Sequence, residues 1–96
     1  MVINITPENF TEVSSVWYSS AFVPNASDIL MSVAIWANGT GEASLQGSIN
    51  ELDWIDLADT TFTISNAGLQ TYTDCHLGLK YRIKSTIAPT AAKVLI

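Results

Sequence analysis

Apolar and polar residues alternate along most of this chain with the spacing of strands. In 29–37, Ile29, Met31, Val33 and Ile35 fall on one side and Leu30, Ser32, Ala34 and Trp36 on the other, because successive strand side chains point to opposite faces. The second side is itself mostly apolar, which predicts a central strand covered on both faces. Asn38-Gly39-Thr40-Gly41 then reads as a hairpin turn. The chain returns over 42–49, with Ala43, Leu45, Gly47 and Ile49 alternating against Glu42, Ser44, Gln46 and Ser48. Shorter strands are predicted at 17–22, ended by Val23-Pro24-Asn25, at 53–57 and at 61–65. Asn66-Ala67-Gly68 reads as a second turn, followed by a strand at 69–73. In 77–85, Leu77, Leu79, Tyr81 and Ile83 share one face, while Lys80, Arg82 and Lys84 share the other. Ala88-Pro89-Thr90 breaks the chain before a last strand at 92–96. Helix signals are confined to Thr6-Pro7, an N-cap followed by proline at the first helical position.

Seven to eight short strands with turn signals about every ten residues predict an all-β fold. The expected architecture is an antiparallel β-sandwich, jelly-roll or immunoglobulin-like. Its 96 residues form a single domain, with 1–15 as a candidate N-terminal arm.

Composition sharpens this picture. Hydrophobic residues make up 48% of the chain and charged residues only 14%. So few charges do little to keep copies apart. The expected setting is either an assembly that covers much of the surface or a plain monomeric sandwich with a Ser/Thr-rich face. The net charge is −5, and the four cations Lys80, Arg82, Lys84 and Lys93 all lie in the last fifth of the chain. Nucleic acid and membrane are therefore not expected partners, since both require a basic patch. Three cations on one strand face read as a solvated face or as a basic strip for an acidic partner. The single cysteine, Cys75, allows no internal disulfide, which fits folding in a reducing cytosol. Met1-Val2-Ile3-Asn4-Ile5 lacks the basic and apolar regions of a leader.

The residues that could carry chemistry do not assemble into a site. His76 adjoins Cys75, and neighbours on a strand point to opposite faces rather than pairing as a dyad. Asp53, Asp56 and Asp59 recur at spacing three beside Glu51, without the alternating acids and glycine of a calcium loop, so they read as a solvated acidic loop. One histidine and one cysteine do not make a zinc site. No catalytic residue, metal ligand or cofactor is expected. Trp17, Trp36 and Trp54 serve either as a sugar-stacking platform or as core and inter-subunit packing. With Lys80, Arg82 and Lys84 they form the candidate interaction surface.

The segment Gly47-Ser48-Ile49-Asn50-Glu51-Leu52-Asp53-Trp54-Ile55-Asp56-Leu57 resembles a strand-to-turn segment of small β-sandwich domains in tailed-phage virion proteins. Tyr81-Arg82-Ile83-Lys84 is similar to a later strand of those domains, and Trp17 to their early tryptophan. The likeness covers most of residues 17–86. It departs at Glu51, where the turn of such domains usually has glycine. The resemblance implies a non-enzymatic virion component made in the host cytoplasm, an auxiliary or decoration protein on the capsid. Its partner would be the major capsid protein or another virion protein, with homo-oligomers allowed. The alternative is a carbohydrate-binding module, or a fibre or tail domain recognising host glycans. The terminal segments Val2-Ile3-Asn4-Ile5 and Lys93-Val94-Leu95-Ile96 either add to a neighbour's sheet or complete this domain's own.

Overall fold

Two long strands organise the molecule. The structure, a computed structural model, describes residues 1–24, 29–76 and 78–96. Its strands are β1 (Val2–Ile5), β2 (Phe10–Val13), β3 (Val16–Ser19), β4 (Ile29–Ser48), β5 (Ile55–Asp56), β6 (Phe62–Cys75), β7 (Lys80–Ser85) and β8 (Pro89–Leu95). Every pairing among them is antiparallel, so the expected all-β antiparallel class holds. The helix signal at Thr6-Pro7 yields one 3-10 turn, Pro7–Asn9. The Asn9 N–H donates to Thr6 O, and Asn9 Oδ1 accepts from the Thr6 N–H and hydroxyl.

The layers of this fold are not separate sheets. The strand order is β1-β8-β4-β7-β3-β2, with β6 and β5 along the other side of β4. The first half of β4 pairs with β8 (Ser32↔Leu95 to Trp36↔Ala91), and its second half pairs with β7 (Ala43↔Ser85 to Ser48↔Lys80). β6 follows β4 through both halves, from Met31↔Tyr72 to Ala43↔Phe62. The result is one sheet bent across itself into a sandwich-like, nearly closed barrel.

The bend lies where hairpin turns were expected, and both expectations need correcting. Asn38-Gly39-Thr40-Gly41 is a corner inside β4, and Asn66-Ala67-Gly68 is the matching corner inside β6. The register shifts between Trp36 and Thr40, as at a bulge that kinks a strand. Gly39 has φ 114° and Asn66 has φ 60°, the left-handed backbone that glycine and asparagine tolerate best. The Gly39 N–H donates to Asn66 Oδ1 at 3.1 Å, tying the two corners together. Glycine and asparagine mark these positions for the same backbone reason that they mark hairpins, so the local signal does not separate a corner from a turn.

Both halves feed one core. Met31, Val33 and Ile35 on the first half and Leu45, Ile64 and Ile83 on the second are almost fully buried. At about 1.5–3 kcal/mol for each such side chain, this burial is the main favourable contribution to the fold. Two buried hydroxyls on the inner face are satisfied locally. Ser19 Oγ accepts from the Ile83 N–H at 2.8 Å, and Ser85 Oγ donates to Ile87 O at 2.6 Å.

Residues 1–15 are built into the sheet. β1 pairs with β8 from Val2↔Leu95 to Ile5↔Ala92, so the terminal strands complete this chain's own sheet. β2 forms a hairpin with β3 through Ser14 and Ser15, both at positive φ. Pro89 opens β8 opposite Ala37, a strand start being a place where the missing N–H is tolerated. Asn25 of the turn expected at 23–25, and Leu77 of the face expected for 77–85, lie outside the described residues.

Candidate interaction surface

The alternation of β7 sends Tyr81, Ile83 and Ser85 into the core and Lys80, Arg82 and Lys84 outward, as the sequence predicts. The cationic face is not an open basic strip, however. The Arg82 guanidinium carbon sits 4.3 Å from the centre of the Tyr18 ring and 4.4 Å from that of Trp54. A planar cation between two aromatic faces is held by their quadrupoles as well as by dispersion. Arg82 Nε donates to Gln46 Oε1 at 2.7 Å, Gln46 Nε2 donates to Asp56 Oδ1 at 2.9 Å, and Lys84 Nζ lies 3.3 Å from the same carboxylate. The bond from Gln46, and then the bond from Lys84, hold the Asp56 carboxyl below its ordinary range, while burial lowers Arg82. Asp56 is mostly exposed, so solvent screens most of that contribution.

The three tryptophans do not form a platform. Trp17 lies opposite the buried Ser85 and packs inward against the core. Trp54 stacks on Arg82. Trp36 stands on the outer face of the other half, 39% exposed, between Ala67 of β6 and Ala91 of β8.

A second surface, which the sequence reading missed, surrounds Trp36. Outward residues of the first half form cross-strand rows: Ala67–Trp36–Ala91, Leu69–Ala34–Lys93–Asn4 and Thr71–Ser32–Leu95–Val2. Leu30, Leu69 and Leu95 are 64%, 69% and 52% exposed. Among the described residues the apolar second face of 29–37 therefore has no cover, contrary to the expectation of a strand covered on both sides. Its sequence signal was present in Leu30, Ala34 and Trp36. Leu69 and Leu95 could be added to it only once the pairing was known.

The loop between β4 and β5 presents more aliphatic surface on a braced frame. Ser48 Oγ accepts from the Asn50 and Glu51 N–H groups, Asn50 Oδ1 accepts from those of Leu52 and Asp53, and Asn50 Nδ2 donates to Asp53 Oδ2. Glu51 has φ 59°, in the left-handed region that glycine adopts most readily. The loop leaves Ile49, Leu52 and Ile55 exposed, Leu52 at 82%.

The chemical candidates stay apart. Cys75 is buried and His76 is exposed, its Nδ1 accepting the Gly78 N–H at 3.0 Å. Asp53 is taken by Asn50 and Asp56 by Gln46 and Lys84. Among the described residues no three His, Cys, Asp or Glu side chains come together as a metal-binding group. The mouth of the sandwich between β6 and the 57–60 segment is a cleft of about 580 Å³, spanned by the Tyr72 hydroxyl, which donates to Thr60 O at 2.6 Å. Compared with known proteins, the chain matches no family model, no curated protein and no solved structure.

Proposed function

We propose that this chain is a non-enzymatic protein-binding domain that packs against a larger protein assembly, as an auxiliary or decoration subunit of a phage capsid. One observation carries the binding role: the exposed apolar face bearing Leu30, Trp36, Leu69 and Leu95. Apolar side chains exposed together in this way, here with Ser32, Thr71, Lys93 and Asn4 among them, mark protein contact sites. The capsid as partner rests on the resemblance of 47–57 and 81–84 to virion sandwich domains. The neighbours of Trp36 favour protein over sugar, because alanines flank the ring where a glycan site needs hydrogen-bonding groups.

The size of the face suits a repeated, lattice-bound subunit. Four strands about 4.8 Å apart and six residues of about 3.3 Å each cover on the order of 400 Å². That is about half of the roughly 800 Å² per partner in a standard interface. A single copy binds weakly, and copies that are joined to one another on a regular shell gain by avidity. The test is co-sedimentation with empty capsids. The parent protein is expected to pellet with them, and the variant Leu30→Glu/Leu95→Glu to stay in the supernatant with its circular dichroism unchanged. Parent protein that stays in the supernatant at every concentration overturns the reading.

A further inference from the structure

The corner of β4 holds a reactive dipeptide. Of the six asparagines in the chain, only Asn38 is followed by glycine. An asparagine side chain loses ammonia when the backbone nitrogen of the next residue attacks its amide carbon, an intramolecular step governed by access and geometry. A side chain on that next residue obstructs the attack. Ile5, Phe10, Ala26, Glu51 and Ala67 follow the other asparagines. Gly39 carries no side chain, and even a Cβ placed there would meet nothing within 4 Å. Asn38 and Gly39 are both exposed, so water and hydroxide reach them. Neither has a ladder partner among the described residues, and the register against β6 shifts between Trp36 and Thr40. The dipeptide therefore lies in a bulge, where small main-chain movements leave the pairing on either side intact. One contact opposes the reaction. The Gly39 N–H, whose proton must leave, donates to Asn66 Oδ1 at 3.1 Å across the corner.

We infer that Asn38 is a self-modification site, where the chain rearranges its own backbone, and that Asn66 sets the rate by holding the attacking nitrogen. The Gly39 nitrogen gives its proton to hydroxide and bonds to Asn38 Cγ. The Cγ–Nδ2 bond breaks, and Nδ2 leaves as ammonia after taking a proton from water, which restores the hydroxide. Water then opens the cyclic imide at one of its two carbonyls. Opening at Cγ leaves aspartate at position 38. Opening at the main-chain carbonyl leaves isoaspartate, whose backbone runs through Cβ and Cγ. Either product makes the net charge of −5 more negative by one. Isoaspartate also lengthens the main chain of β4 by a methylene, and the bulge, already out of register with β6, accommodates it.

Incubation of the folded protein in mildly alkaline buffer, followed by peptide mass spectrometry and hydrogen exchange, tests this. The parent is expected to convert amide to acid at residue 38 ahead of every other asparagine, as a mixture of aspartate and isoaspartate. Asn38→Gln, whose longer side chain must close a larger ring, is expected to lose that product. Asn66 has φ 60°, so Asn66→Gly keeps the backbone and removes only the acceptor. That variant is expected to lose exchange protection at the Gly39 amide and to convert roughly 2- to 10-fold faster, the rate equivalent of one hydrogen bond. Asn66→Asp retains an acceptor and is expected to convert no faster than the parent. Circular dichroism of both variants is expected to match the parent. No product at 38 in the folded parent, conversion spread evenly over the asparagines, or an Asn66→Gly rate equal to the parent's overturns the inference. So does an Asn66→Asp rate as high as that of Asn66→Gly.

Discussion

Arg82 holds the outer face of the second half by shape as much as by charge. Its guanidinium fills the slot between Tyr18 and Trp54 and donates to Gln46. Arg82→Ala is expected to cost about 2 kcal/mol in urea unfolding, as the sum of a partly desolvated stack and one hydrogen bond. Arg82→Lys is expected to recover less than half of that, because an ammonium cannot fill a planar slot between two rings. Tyr72 gives a pH signature. Burial raises its hydroxyl pKa well above the ordinary tyrosine range, and the proton it keeps donates to Thr60 O. A raised folded-state value contributes stability that is present below the unfolded value and is lost as pH climbs. Stability is therefore expected to fall as pH rises through the tyrosine range, and Tyr72→Phe to remove most of that fall at a cost of about 1 kcal/mol at neutral pH. None of the Arg82 cluster could be read from the sequence. Its members come from β3, β4, β5, β7 and the residue before β5, and only the pairing brings them together. What could be read was the outward face of β7, which needs nothing beyond alternation.

At the scale of elements, the corners of β4 and β6 carry the distinctive geometry. A Cβ at Gly68 would lie 2.6 Å from Thr63 O, a backbone atom that cannot swing aside, whereas a Cβ at Gly39 would meet nothing within 4 Å. Gly68→Ala is expected to cost about 2–3 kcal/mol by overpacking. Gly39→Ala is expected to cost about 1 kcal/mol, from its positive φ alone. Thermal unfolding separates them, since about 1 kcal/mol moves the midpoint of a domain this size by about 4–8 °C. Strand positions were legible because burial follows a period of two. Strand continuity was not, because Gly39 and Asn66 supply left-handed backbone to a bend as readily as to a hairpin. β2 escaped notice for a related reason. Its hairpin turns on Ser14 and Ser15 at positive φ, where the familiar signal is Asn-Gly.

Across the whole molecule, pairing is dominated by partners distant in sequence, with Val2 opposite Leu95 and Trp17 opposite Ser85. Such topologies must close large loops before contacts repay them, and they fold in milliseconds to seconds. The all-β class was legible because composition and alternation agree. The single bent sheet was not, because no local pattern records which strands are shared between layers. That sharing predicts one calorimetric transition with a van't Hoff enthalpy equal to the measured one. A separate earlier transition for either half would contradict it.

The corner at Gly39 and Asn66 has a last consequence. A protease clip there would sever the backbone common to both walls, so neither wall could survive as a fragment. Resistance to cleavage at 38–41 and 65–68 thus measures the integrity of the entire chain, and the protein persists intact or is degraded as a unit.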